Sequence, residues 1–243
     1  GDVFGSPLAI EAVFAFFMES TFLAISLWGW DRVGKKAHFF STVMVCVGSH
    51  LSAIWILIAN SFMQTPEGFA LQYTDPATLA VSILPQGSVP TGEQISNTKA
   101  IITSFWELCT NPSCIDRITH TVAACWLCGA FLGLGICAYY IVRKRTDFAK
   151  SCAKIALSFA AVSAAAMFFT GHSSAQGLAV NQPEKLAAFE WHFRTEESAP
   201  LWLTGIVDTQ NREVRGIKLG GLLSFLAFGS TEARVYGLED LPT

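Results

Sequence analysis

The sequence predicts an all-α fold: a polytopic bundle of four membrane-spanning helices with an extracytoplasmic loop and tail. Three observations carry this. Four apolar runs approach or exceed the roughly 20 residues that cross a bilayer. Of the 243 residues, 51% are hydrophobic and only 14% charged, where soluble domains carry about 25% charged residues. The basic residues also collect in alternate connectors, which orients the spans.

The first run is Pro7–Trp30, "PLAIEAVFAFFMESTFLAISLWGW", and the second is Ala37–Phe62, "AHFFSTVMVCVGSHLSAIWILIANSF". The third is Ile118–Val142, "ITHTVAACWLCGAFLGLGICAYYIV". The fourth, Ala153–Thr170, "AKIALSFAAVSAAAMFFT", is shorter and rich in small residues that suit close helix contact. The connector "DRVGKKAH" holds Arg32, Lys35 and Lys36, and "RKRTDFAKSCAK" holds Arg143, Lys144, Arg145, Lys150 and Lys154. The stretch from Met63 to Asp116 has Lys99 as its sole basic residue. By the positive-inside rule the two basic connectors are cytoplasmic, and the long middle loop and the tail lie outside.

The chain therefore divides into 1–64 (spans one and two), 65–116 (extracytoplasmic loop), 117–172 (spans three and four) and 173–243 (extracytoplasmic tail). The loop, with Pro66, Pro76, Pro85 and Pro90, shows no trusted helical or strand period and reads as an insertion or cap. In the tail, "QPEKLAAFEWHF" suits a short helix with Pro183 near its start. "GIKLGGLLSFLAFGS" is apolar but broken by glycine, as a partly buried surface segment would be. The net charge of −3 argues against a nucleic-acid partner. The opening Gly-Asp lacks the pattern of a cleavable leader, and the chain reads as an internal piece of a longer protein.

Two acids stand inside the first run. A carboxylate in hydrocarbon costs several kcal/mol, so Glu11 and Glu19 must be neutral, paired or wetted. On a helix they lie about 12 Å apart along the axis and within about 80° of one face. Metal or heme-iron ligand, proton relay and cation site are all open to them. His120, two residues into span three, reads equally as an iron ligand or as an interfacial histidine bonded to a carbonyl. His50 reads as a neutral, hydrogen-bonded histidine or as part of a polar file with Ser20 and Ser52.

If the outer side is periplasmic, Cys109 and Cys114 in "CTNPSC" can pair as a disulfide. Cys125 and Cys128, inside a span, read as small apolar residues, as do Cys46, Cys137 and Cys152. Neither pair is matched by a second, so no zinc site is expected. Lys185 and Glu190, beside Phe189, Trp191 and Phe193, read as a solvated helix face or as a grip on an amphiphile's polar head.

Taken together these stretches resemble subunit I of cytochrome bd-type quinol oxidases. "GDVFGSPLAIEAVFAFFMESTF" is similar to that family's third helix with its acid pair. "GWDRVGKKAHFFSTVMVCVGSHLSAIWILIANSFMQTP" resembles the next loop and fourth helix, and "RITHTVAACW" the start of the fifth. "GHSSAQGLAVNQPEKLAAFEWHF", "GGLLSFLAFG" and "VYGLEDLP" resemble the sixth helix's exit and the quinol loop. About 65–108 falls outside the resemblance and is longer than the family leads one to expect. His50 stands where Asn is expected.

The resemblance implies a terminal oxidase of the respiratory chain, oxidising quinol at the outer face and reducing oxygen to water with cytoplasmic protons. Glu11 would approach the iron of the oxygen-reducing heme pair. Glu19 would stand at the inner part of the proton route to that pair, lined by Ser20 and Ser52. His120 would ligate the low-spin heme b, and Lys185 and Glu190 would bind and deprotonate quinol. The implied cofactors are low-spin heme b, high-spin heme b and heme d or a b-type substitute. The implied partners are subunit II, quinol, oxygen and membrane lipid, in the bacterial cytoplasmic (inner) membrane. The earlier helices, and the ligands that follow the early quinol loop, would lie outside this chain, which alone is expected to be inactive. Two further readings are a proton or ion transporter using Glu11, Glu19 and His50, and a non-catalytic subunit that packs a partner.

Overall fold

The computed structural model describes residues 3–85 and 87–241. The ends of the resembling stretches at Gly1, Asp2 and Pro242 lie outside the described residues. The chain forms two compact units, Gly1–Ile118 and Thr119–Thr243. Among the described residues, four helices are long and apolar enough to span a membrane: Gly5–Trp28, Lys35–Phe62, Phe105–Val142 (continuous from Cys114) and Thr146–Asn181.

In the first unit, span one is α-helical at both ends and opens into a π-helix over Glu11–Phe16. Pro7 sits in its first turn, where a missing N–H costs little. The chain turns at Gly29–Gly34, where the N–H groups of Arg32 and Val33 each donate to the Gly29 carbonyl at 3.0 Å. Extended Gly34 then caps span two. The two spans approach closely at Gly48. A Cβ there would lie 3.0–3.1 Å from the Cβ, Cα and N of Glu19, so only glycine lets the backbones meet. Their outer faces remain bare of protein: Phe14, Phe17, Trp28 and Phe39 are all exposed. Faces of this kind suit lipid or neighbouring helices, not water.

The loop after span two contains a sheet. β1 (Phe69–Thr74) lies between β2 (Val81–Ile83) and β3 (Thr98–Ile102), both antiparallel to it, with Phe69 opposite Ile102 and Tyr73 opposite Thr98. The loop thus holds regular strands although its sequence shows no trusted helical or strand period. Phe69, Leu71 and Tyr73 do alternate with period two, but over so few residues, between prolines, that the pattern is weak by itself. A short helix, Phe105–Cys109, leads to span three. Asn111, 1% exposed, holds the turn between them: its Nδ2 donates to Ser61 Oγ (2.8 Å) and to the Leu108 carbonyl (3.0 Å), while Thr65 Oγ1 donates to its Oδ1 (3.0 Å). Val3, Ile58, Phe62, Leu108 and Cys114 pack beneath this network.

In the second unit, span four runs on to Asn181, past the Thr170 at which its hydropathy fades. At 1.5 Å per residue its 36 residues reach about 54 Å, against roughly 30 Å of hydrocarbon. "GHSSAQGLAVN" ends the apolar pattern but contains no proline, so the backbone ladder continues. Pro183 opens the expected short helix, Pro183–Phe189. β4 (Leu201–Asp208) and β5 (Glu213–Leu219) then form an antiparallel hairpin. The glycine-broken stretch divides into the end of β5 and a helix, Leu222–Phe228, bounded by Gly221 and Gly229 at φ +69° and +73°. Ala179, Leu186, Ala199, Leu223, Ala227 and Val235 make this unit's core.

Candidate functional site

The first unit presents the two acids. Glu11 stands at the start of the π-helix, a form frequent at functional sites. Its Oε1 accepts from Ser52 Oγ at 2.7 Å. Glu19 Oε1 accepts from Ser49 Oγ, also at 2.7 Å. Ser49 and Ser52 are three residues apart and share a face of span two. Two acids eight residues apart in sequence thus send their carboxylates to hydroxyls on neighbouring turns. Ser52, expected beside Glu19, pairs with Glu11 instead, and Glu19's partner is Ser49. Ser20 is exposed on span one. Sequence spacing could not reveal this pairing, because it depends on how the two spans align at Gly48.

His50 bonds through Nδ1 to the Cys46 carbonyl at 2.7 Å, one turn back on its own helix. A carbonyl can only accept, so Nδ1 carries a proton. Arg117 donates from Nη1 to Asn60 Oδ1 at 2.9 Å, while its Nε is buried with no partner. The expected Cys109–Cys114 disulfide is not formed; both are free thiols. Cys109 ends one short helix and Cys114 begins span three, each fixed by the turn at Asn111 and by the packing around Leu108. A disulfide tolerates little departure from its preferred geometry.

The second unit presents His120 and the tail. His120 is half-buried, and its Cε1 would lie 3.5 Å from a Cβ placed on Gly171, so the ring rests against span four. Its Nδ1 is 3.1 Å from Thr170 Oγ1, which itself donates to the Ala166 carbonyl at 2.9 Å. On the helix Pro183–Phe189, Lys185 Nζ lies 5.6 Å from the Phe189 ring centroid, a cation–π contact. Glu190 caps this helix half-buried, and burial pushes its carboxyl above the usual carboxylate range. Two residues on, His192 is 5% exposed. Its Nε2 is 3.2 Å from the Val235 carbonyl and its Nδ1 3.8 Å from Glu196 Oε1. The sequence reading passed over His192; a histidine within the "FEWHF" aromatic cluster was the available signal.

Among the described residues, no three histidines, cysteines or acids gather to hold a metal ion. An iron bound here would need most of its ligands from a macrocycle, with the protein adding an axial one. A single half-buried histidine fits that division. The orphaned Arg117 Nε is a buried cationic donor of the kind an anionic heme substituent satisfies.

Comparison with known proteins bears on all of this. The family model described as cytochrome bd terminal oxidase subunit I matches residues 1–243. The chain is 34% identical over 244 residues to the cytochrome bd ubiquinol oxidase subunit 1 of Bacillus subtilis (strain 168), covering 99% of this chain and 47% of that protein. It is 36% identical over 244 residues to the cytochrome bd-II ubiquinol oxidase subunit 1 of Escherichia coli (strain K12), covering 99% of this chain and 43% of that one. The fold is similar to the bd oxidase structure from Geobacillus thermodenitrificans, with a TM-score of 0.76 at 31% identity over 99% of this chain and 50% of that one. The chain spans about half the length of the curated relatives it matches. These comparisons give the transporter reading no support. The chain belongs to the cytochrome bd terminal oxidase subunit I family.

Proposed function

We propose that this chain is part of the heme-bearing subunit of a quinol:oxygen oxidoreductase, and that it supplies the proton route to the oxygen site, one axial ligand and the start of the quinol site. The observation that carries this is the convergence of two intramembrane carboxylates on two serine hydroxyls of neighbouring turns. Segment 65–116 is an extracytoplasmic insertion, and 173–243 opens the quinol-binding loop. The whole protein works with subunit II in the bacterial cytoplasmic membrane.

His120 would hold the low-spin heme b, and Glu11 would stand toward the oxygen-reducing pair of high-spin heme b and heme d or its b-type substitute. These hemes supply the electron transfer and oxygen chemistry when bound. Glu19 suits a relay in either protonation state. Ser49 Oγ lies within hydrogen-bond reach of both Glu19 (2.7 Å) and the Val45 carbonyl (3.0 Å). When Glu19 is ionised, the hydroxyl donates to it. When Glu19 is protonated, it donates to Ser49, whose hydrogen turns to Val45. Ser52 Oγ donates to Glu11 Oε1 at the next turn, at 2.7 Å. At the outer face, Lys185 would orient the quinol head while Glu190 accepts its proton.

The test is a reduced-minus-oxidised visible spectrum of membranes carrying the full-length parent and its His120→Ala variant. Loss of a low-spin b band in the variant, with the oxygen-site signal kept, supports the reading. A well-expressed parent with no heme signal overturns it.

A further inference from the structure

We infer that Thr170 is a positioning residue that sets the tautomer of His120, leaving Nε2 as the free ligating nitrogen. This rests on the reading of His120 as an axial heme ligand. Neutral imidazole has one N–H and one lone pair, and only the lone pair can bind iron. His120 Nδ1 is 3.1 Å from Thr170 Oγ1. A hydroxyl on this helix has two choices. It can donate to Nδ1 and give up the Ala166 carbonyl, or it can keep the 2.9 Å bond to Ala166 and accept from Nδ1–H. The second arrangement makes two hydrogen bonds where the first makes one. The chain of donors therefore runs from Nδ1–H to Oγ1–H to the Ala166 carbonyl. The proton stays on Nδ1 and the lone pair on Nε2.

Gly171, next in sequence, has no side chain, and a Cβ there would lie 3.5 Å from Cε1 and 3.9 Å from Nδ1 of the ring. Thr170 and Gly171 thus fix both the protonation and the orientation of the imidazole. Partners behind a ligating histidine commonly do this, and they make the ligating nitrogen more electron-rich. The richer ligand favours ferric over ferrous iron.

The test uses the full-length parent in membranes, with Thr170→Val (same shape, no hydroxyl), Thr170→Ser (hydroxyl kept) and His120→Ala. The readouts are the midpoint potential and the occupancy of the low-spin heme, independent of turnover. In Thr170→Val the ferric–ferrous equilibrium should move toward ferrous by roughly tenfold, or heme affinity should fall by about that factor; Thr170→Ser should restore the parent values. An unchanged potential and occupancy in Thr170→Val overturns the inference while leaving His120 as ligand. So does equal loss of heme in the Val and Ser variants, which marks a purely steric contact. A low-spin heme that survives in His120→Ala removes the underlying assignment, and this inference with it.

Discussion

The acids of the first unit and the histidine of the second are each held by a hydroxyl, yet the hydroxyls do opposite work. Ser49 and Ser52 donate to carboxylates. Thr170 has its hydrogen committed to a helix carbonyl and faces His120 as an acceptor. The difference lies in the neighbouring group. An ionised carboxylate can only accept, so Ser49, which also reaches its own helix at Val45, turns its hydrogen to Glu19. An imidazole N–H needs an acceptor, so the threonine bonds back to its own helix. One side-chain chemistry therefore stabilises a negative charge in one place and fixes a neutral tautomer in another.

The strongest test of the acid side is Glu19→Gln in the full-length parent. It keeps the shape but cannot accept a proton, and oxygen consumption should fall roughly a hundredfold, as when a proton-transfer group is lost; a rate within twofold of the parent would remove Glu19 from the proton route. Gly48→Ala tests whether the close approach positions that acid. The added methyl must displace Glu19, an overpacking that costs about 1–3 kcal/mol, and the melting temperature in detergent should drop. Ser49→Ala and Ser52→Ala should slow turnover less than Glu19→Gln, each removing one hydrogen bond of about 1.5–3 kcal/mol if the carboxylate is ionised. Oxygen consumption should fall several-fold in each, and the double variant should lose more than either single.

On the tail side, Glu190 makes a pH prediction. Burial raises its pKa in the folded state, so the neutral form favours folding. That contribution is fully present below the ordinary value of 4.5 and is lost as pH rises through the raised folded value. Glu190→Gln should flatten the dependence of melting temperature on pH above 4.5. A slope unchanged from the parent would assign it to other groups. The smallest effect concerns Cys109 and Cys114. Denatured without reductant, both should take up a maleimide, seen as two added labels on the peptide that carries them. Labelling that appears only after reduction would restore the disulfide.

The membrane architecture was legible because it follows from composition. Long apolar runs without charge have few alternatives to a helix in lipid. The candidate residues were also legible, since Glu11, Glu19 and His120 are costly where they stand and so call for a reason. The sheet at 69–102 was not. Its strands are too short for their alternation to rise above the proline-rich surroundings. The extension of span four to Asn181 was missed for a related reason: hydropathy reports where lipid ends, and a helix can continue beyond it.

By itself, then, the sequence determined the number of spans, the acids placed inside one of them and the histidine at the mouth of another. Tertiary structure decided the partners. Ser49 rather than Ser20 reaches Glu19 because Gly48 lets two backbones meet at that level. Thr170 reaches His120 because two spans lie side by side with Gly171 at the contact. Hydrogen bonds act over about 3 Å, and no one-dimensional pattern specifies the alignment of two helices to that distance. The packing of small residues between them does.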